Sequence, residues 1–193
     1  MAGNPPLTIA CAVGTTETFT GMAYFKDLSD DTYVPDNRSG IIALGSFDRE
    51  SETCVSPLRV KNIGWLEPGH EFNTQTPSEV ILSLLWDFCA VRVNQMRGIH
   101  ECDFCPLDKR VKPVNLQEFK YAERNGQRIL LGSAEVRVFG ASGSDIYAAP
   151  TLVYHYISVH HYNPPSEFVE AMRRGPKPQT PEYFRALETL GLK

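Results

Sequence analysis

The sequence predicts an α+β fold, with an antiparallel sheet early and in the middle of the chain and helices concentrated at its C-terminal end. Two observations indicate this class. Short segments rich in β-branched and aromatic residues, bounded by Gly, Pro, Asn or Ser, are typical of strands. Later segments begin at Thr or Asn followed by Pro and stop at Gly, as helices do. Residues 1–21 show neither pattern, so we expect a flexible extension there and a single domain over residues 22–193.

The predicted strands come first along the chain. Residues 39–47 and 59–67 each combine β-branched and aromatic residues between turn-forming ones. Residues 128–139 are predicted as one long strand. The Gly- and Ser-rich residues 140–145 then form a turn, and residues 146–150 return beside the long strand as a β-hairpin.

The first predicted helix begins near Thr76, which suits the N-cap, with Pro77 at the first helical position and Glu79 completing a capping box. An apolar stripe extends this helix to about residue 90. Residues 151–161 suit a strand or a helix, and we favour a helix because Pro150 can begin one. Two more helices are predicted between cap and stop residues, from Asn163 to Gly175 and from Thr180 to Gly191.

The composition is that of an ordinary globular chain and disfavours some partners. Of 193 residues, 42% are hydrophobic and 22% charged, so a core can form without cross-links. The net charge of −4 argues against nucleic acid or an anionic membrane as a partner. No apolar run approaches the length of about 20 residues that spans a bilayer, and no basic region precedes "LTIACAV" as in a secretory signal. We therefore expect a cytoplasmic protein that binds a protein partner or a small ligand.

The segment "RGIHECDFCP", residues 97–106, holds one histidine and two of the five cysteines. In an extended segment His100 and Cys102 point to the same side, and the spacing of Cys102 and Cys105 lets two thiolates bind one zinc ion. A redox pair would need a helix through Cys105, which Pro106 disfavours. A chance grouping is the third explanation. The pattern favours zinc bound by His100, Cys102 and Cys105.

A structural zinc site needs four ligands, so one more histidine is required. His155 and His160 lie about 140° apart on a helix, and we expect only one of them to face the metal. His155 ranks first as fourth ligand because it begins its segment after the long hairpin. His160 is the alternate, and His70 ranks third.

Four motifs of this chain resemble an uncharacterised bacterial domain family, whose pattern includes RGxHxCxFC and YxAPxLIxHYVxxHxYxPPxEF. Here the motifs are "YFKDLS" at 24–29, "NIGWL" at 62–66, "RGIHECDFC" at 97–105 and "YAAPTLVYHYISVHHYNPPSEF" at 147–168. The resemblance covers about Met22 to Met172 and implies no known activity. It implies that one site contains His100, Cys102, Cys105, His155 and His160.

Two functions fit these features. The first is a zinc-binding domain in which the metal is structural and the task is binding or interaction. The second is a metal-dependent hydrolase with three protein ligands, an open fourth position and Glu135 as general base. The alternative for Glu135 is a solvent-facing strand residue paired with Arg137 or Lys120. We favour the first because thiolates reduce the Lewis acidity of the ion. The sequence also lacks the HExxH helix and the His-x-Glu of zinc deaminases.

Overall fold

The computed structural model describes four stretches of the chain, residues 24–31, 60–96, 98–105 and 121–192. The elements within them are β1 (Val60–Asn62), α1 (Glu79–Ala90), β2 (Tyr121–Arg124), β3 (Gln127–Leu130), β4 (Glu135–Phe139), β5 (Ile146–Pro150), α2 (Val153–His160), α3 (Ser166–Arg174) and α4 (Pro181–Thr189). The predicted α+β class is confirmed. The predicted extension at 1–21 and the predicted strand at 39–47 lie outside the described residues.

The central sheet has the strand order β1-β5-β4. β4 and β5 pair antiparallel, which confirms the predicted hairpin, whereas β1 pairs parallel with β5. Isolated bridges widen the sheet on both sides. Asp30 pairs with Lys61 beyond β1, and Val93 pairs with Glu135 beyond β4.

The strand predicted over residues 128–139 is divided into β3 and β4 by a corner at Gly132. Gly132 has a φ of +82°, which L side chains rarely adopt. β3 instead pairs with β2 through the Asn125–Gly126 turn, in which both residues have positive φ. Asn-Gly is a strong signal for such a two-residue hairpin, and our prediction overlooked it.

The helices follow the prediction closely, with two late starts. α1 begins after Ser78 rather than at Thr76, because the preceding residues are held in extended pairing: Thr74 bridges Tyr162 and the Gln75 N–H donates to the carbonyl of His161. α3 begins at Ser166 rather than near Asn163, since a residue followed by proline avoids the helical region.

α2 and α4 agree with the prediction. The ambiguous segment 151–161 is helical as α2, and α4 begins with Thr180 as N-cap, whose Oγ1 accepts from the Tyr183 N–H at 3.3 Å. Among the described stretches, no helix combines the length and apolar character needed to cross a membrane.

The core lies between the central sheet and the helices, and Tyr183 fastens α4 to it. The fully buried Tyr183 ring packs edge-on against Phe88 of α1 and Phe139 of β4, with centroids 5.8 and 5.5 Å away. Its hydroxyl donates to the Arg137 carbonyl at 2.7 Å. α4 is therefore part of the same packed unit as the sheet.

Asp27 attaches the segment 24–31 to the rest of the fold. Its carboxylate accepts from the Gly64 N–H at 2.9 Å and from the Tyr162 hydroxyl at 2.8 Å. Burial raises the pKa of Asp27, and these two hydrogen bonds oppose that shift. The segment is thus held by a carboxylate whose charged form is partly desolvated.

We expect Asp27→Asn to gain stability relative to the wild type as the pH rises from about 4 to 7. The folded-state pKa lies above the ordinary value of 3.8, so the wild-type carboxyl contributes most below that value and progressively less as pH passes the folded pKa. Asparagine does not titrate. Urea unfolding across this range measures the difference, with Asp30→Asn as an exposed control. A difference that falls with pH would contradict the assignment.

Candidate metal centre

The residues 98–105, here called the cysteine loop, are fixed at both ends. The His100 N–H donates to the Gly132 carbonyl at 2.8 Å, which anchors the start of the loop at the corner between β3 and β4. The Cys105 N–H donates to the Cys102 carbonyl at 3.3 Å, which closes the tight turn that the C-x-x-C spacing predicts. Both sulfurs are therefore brought to one side of a short turn.

Phe104, between the two cysteines, holds the loop against the core. Its ring packs edge-on against Phe72 at 5.4 Å and Tyr156 at 5.9 Å, and it lies 5.5 Å from the His160 ring. The apolar residue inside the C-x-x-C turn thus sets the distance between the loop and α2.

α2 supplies both of its histidines to the cysteine loop. His155 Nε2 lies 3.3 Å from Cys105 Sγ, and His160 Nε2 lies 3.2 Å from Cys102 Sγ. The two rings are 5.0 Å apart between centroids. We expected only one of the two rings to face the site, whereas the structure brings both to the cysteines, with His160 as the last residue of the helix.

The four ligand atoms, one from each of Cys102, Cys105, His155 and His160, all lie within 4.8 Å of one another. Three sulfur–nitrogen separations are 3.2, 3.3 and 3.6 Å. In a tetrahedral zinc site with bonds of about 2.3 Å to sulfur and about 2.05 Å to nitrogen, that separation is about 3.6 Å. The group already has nearly the dimensions of a metal site, and it could hold an ion.

The site is largely shielded from water. Cys102 is fully buried, Cys105 and His155 are less than a tenth exposed, and His160 is half-buried. Burial raises the pKa of the Cys102 thiol to about 11, and the neighbouring Cys105 adds to the shift. A nearby cation would offset this cost, as thiolates are the form that binds metals.

The structure does not place His100 in the four-residue group. Its backbone is bound to Gly132, and burial lowers the pKa of its half-buried ring, opposed by Asp103. We expected His100 to belong to the group beside the two cysteines and His155, but the group contains His160 instead. His70, the third-ranked histidine, is stacked on Tyr24 with ring centroids 3.7 Å apart, and it also lies outside the group.

The carboxylate of Glu135 lies outside the group as well. It is only 1% exposed, its Oε2 accepts from the Arg137 guanidinium, and Asn94 Nδ2 donates to the same oxygen at 3.3 Å. Arg137 also lies 3.9 Å from Asp31. Glu135 is therefore engaged in a buried charge network, which does not support its predicted role as general base for a metal-bound water.

The fold and the site define a small α+β domain with a Cys₂His₂ group that could bind a metal ion. The chain belongs to the family described as a domain of unknown function (DUF7919), whose model matches residues 23–173. The matched range contains the whole cysteine loop and all of α2. Comparison with curated proteins and with solved structures yields no match.

We expect Gly132→Ala to destabilise the domain by about 1–3 kcal/mol more than Gly126→Ala. Both glycines have positive φ, but a Cβ at Gly132 would lie 2.2 Å from the His100 carbonyl oxygen, whereas one at Gly126 meets nothing within 4 Å. Gly126→Ala therefore measures the backbone strain alone. Urea unfolding of both variants checks this, and equal losses would show that the cysteine loop is not packed on the corner.

Proposed function

We propose that this domain binds one Zn²⁺ ion through Cys102, Cys105, His155 and His160, and that the ion is structural. The observation that carries the proposal is the convergence of the four ligand atoms within 4.8 Å, from segments about 50 residues apart in sequence. The ion would join the cysteine loop to α2. Metal-binding energy would then contribute directly to folding energy.

The donor set supports zinc over other common metals. Two thiolates and two imidazoles in a tetrahedral arrangement are a frequent structural zinc set, while Mg²⁺ and Ca²⁺ prefer oxygen ligands. Cys102 and Cys105 are free thiols rather than a disulfide, as binding requires. We propose a cytoplasmic location, where a reducing environment keeps such thiols unpaired.

A structural role is favoured over hydrolysis because four protein ligands complete a tetrahedron. Catalytic zinc sites keep one position open for water or substrate. Here the ligand atoms of both helix histidines lie within 4.8 Å of both cysteine sulfurs. Glu135 lies outside this group and is paired with Arg137. The task that follows is binding, to a protein partner or a small ligand, by a domain whose fold the metal stabilises.

We expect the purified protein to contain about one zinc ion per chain and His160→Ala to lose it. The variants His161→Ala and His100→Ala should keep it, since neither residue belongs to the group. Elemental analysis measures the zinc content, and cobalt substitution reports tetrahedral thiolate ligation by its visible spectrum. For the sulfurs, we expect Cys105→Ser to lose zinc, whereas Cys89→Ala, which removes a buried thiol outside the group, should keep it. Retention of zinc by His160→Ala together with its loss from His100→Ala would replace our ligand set.

We expect removal of the metal by a chelator to lower the melting temperature by about 10 °C or more. Losing a buried cross-link worth several kcal/mol has an effect of this size in a domain of about 190 residues. Differential scanning calorimetry before and after chelation, with zinc added back, gives the shift and its reversibility. A protein that releases its zinc yet melts unchanged would argue against a structural role.

A further inference from the structure

A cleft of about 640 Å³ opens beside the C-terminal end of α1. Its walls come from three parts of the chain: Arg92 after α1, Tyr121 and Arg128 of the β2–β3 hairpin, and Gln179 in the connection between α3 and α4. Small-molecule sites typically measure about 300–1,000 Å³. No ligand of the metal centre lines the cleft, so it is a separate feature.

The cleft is locally cationic in a chain of net charge −4. Two arginines are among the described residues that line it, and no aspartate or glutamate is. Within the described stretches, neither Arg92 nor Arg128 forms an ion pair with a carboxylate. Other arginines do: Arg124 pairs with Glu79, and Arg174 with Glu170. The N–H groups of Arg92 and Arg128 are therefore available to an incoming oxyanion.

Part of this donor set is already oriented. The Arg128 guanidinium lies 4.3 Å from the centroid of the Tyr121 ring, a cation–π contact that restrains it. Stacking uses the face of the guanidinium and leaves its N–H edges available. Gln127 Oε1 accepts from Trp86 Nε1 at 3.4 Å, which leaves the Gln127 amide N–H₂ to donate.

The floor of the cleft is apolar and uncharged. The apolar surface that a ligand can reach is that of the exposed Ala90 and the half-buried Leu130. Ile129 is buried, and Cys89 is fully buried with its Sγ 4.0 Å from the Thr151 carbonyl. Burial raises the pKa of the Cys89 thiol to about 12, so it carries no negative charge near neutral pH. An apolar ligand body can rest here without repelling an attached anion.

We propose that this cleft binds a small organic anion, with an apolar ring against Ala90 and Leu130 and an oxyanion group held by Arg92 and Arg128. The ligand class is an aromatic or similarly compact carboxylate, sulfonate or phosphate. The proposal does not depend on the metal centre, because the two sites share no residue.

The test is a fluorescence titration of the full chain with 8-anilinonaphthalene-1-sulfonate and with N-phenyl-1-naphthylamine, which has the same aromatic body and no charge. We expect the sulfonate to bind at least about tenfold more tightly than the neutral probe, since a charge-assisted hydrogen bond typically contributes that much. Arg92→Gln and Arg128→Gln should each weaken the sulfonate about tenfold. Arg173→Gln makes the same charge change at the exposed end of α3 and should have no effect.

Several outcomes would overturn the proposal. These are equal affinity for the two probes, unchanged sulfonate binding in both cleft variants, or an equal loss in Arg173→Gln. Arg92 and Arg128 are exposed, so their replacement should not disturb folding, which the unfolding midpoint verifies. Arg92→Lys and Arg128→Lys provide a second pair of variants, and we expect them to keep part of the sulfonate affinity because they retain the charge.

Discussion

The structure brings two sulfurs and two imidazoles together from segments separated by about 50 residues. The corner at Gly132 makes this possible. Its carbonyl accepts from His100 in the cysteine loop, and its N–H donates to Thr151 Oγ1 at 2.9 Å, just before α2. The β4–β5 hairpin returns the chain to this point. Gly132 is thus hydrogen-bonded both to the cysteine loop and to the residue just before α2. Only glycine fits at this position, because a Cβ would collide with the His100 carbonyl oxygen.

Local patterns predicted much of the fold and part of the candidate site. The C-x-x-C spacing identified both cysteines of the group, and the cap and stop residues predicted α4. The expectation that only one of His155 and His160 faces the site rests on their separation of about 140° on an ideal helix, which does not account for a ring at the helix end. His100 was chosen from side alternation in an extended segment. Whether His100 and Cys102 point to the same side depends on the hydrogen bond from the His100 N–H to Gly132, which no local sequence pattern predicts.

Two other departures have different origins, one non-local and one local. α1 begins late because residues before it pair with the residues just after α2, a contact between positions almost 90 apart in sequence. For Glu135, the sequence leaves open a catalytic role or pairing with Arg137 or Lys120, and the structure shows the pair with Arg137. Burying such a pair is expensive unless both members are satisfied, and within the described residues Glu135 Oε1 and Arg137 Nε have no hydrogen-bond partner. Asn94 and Asp31 add further contacts, so the network connects both margins of the sheet.

Because of Tyr183, the packed core extends beyond the residues that the family model matches. The family model ends at residue 173, inside α3, whereas Tyr183 fills the space between Phe88 and Phe139. A recombinant fragment cut at that limit would expose two aromatic faces and leave the Arg137 carbonyl without its hydroxyl donor. Removing a buried aromatic of this kind costs about 3–5 kcal/mol, which is a large part of the net free energy of unfolding of a typical domain. Expression boundaries drawn from sequence similarity alone would therefore yield an aggregation-prone product.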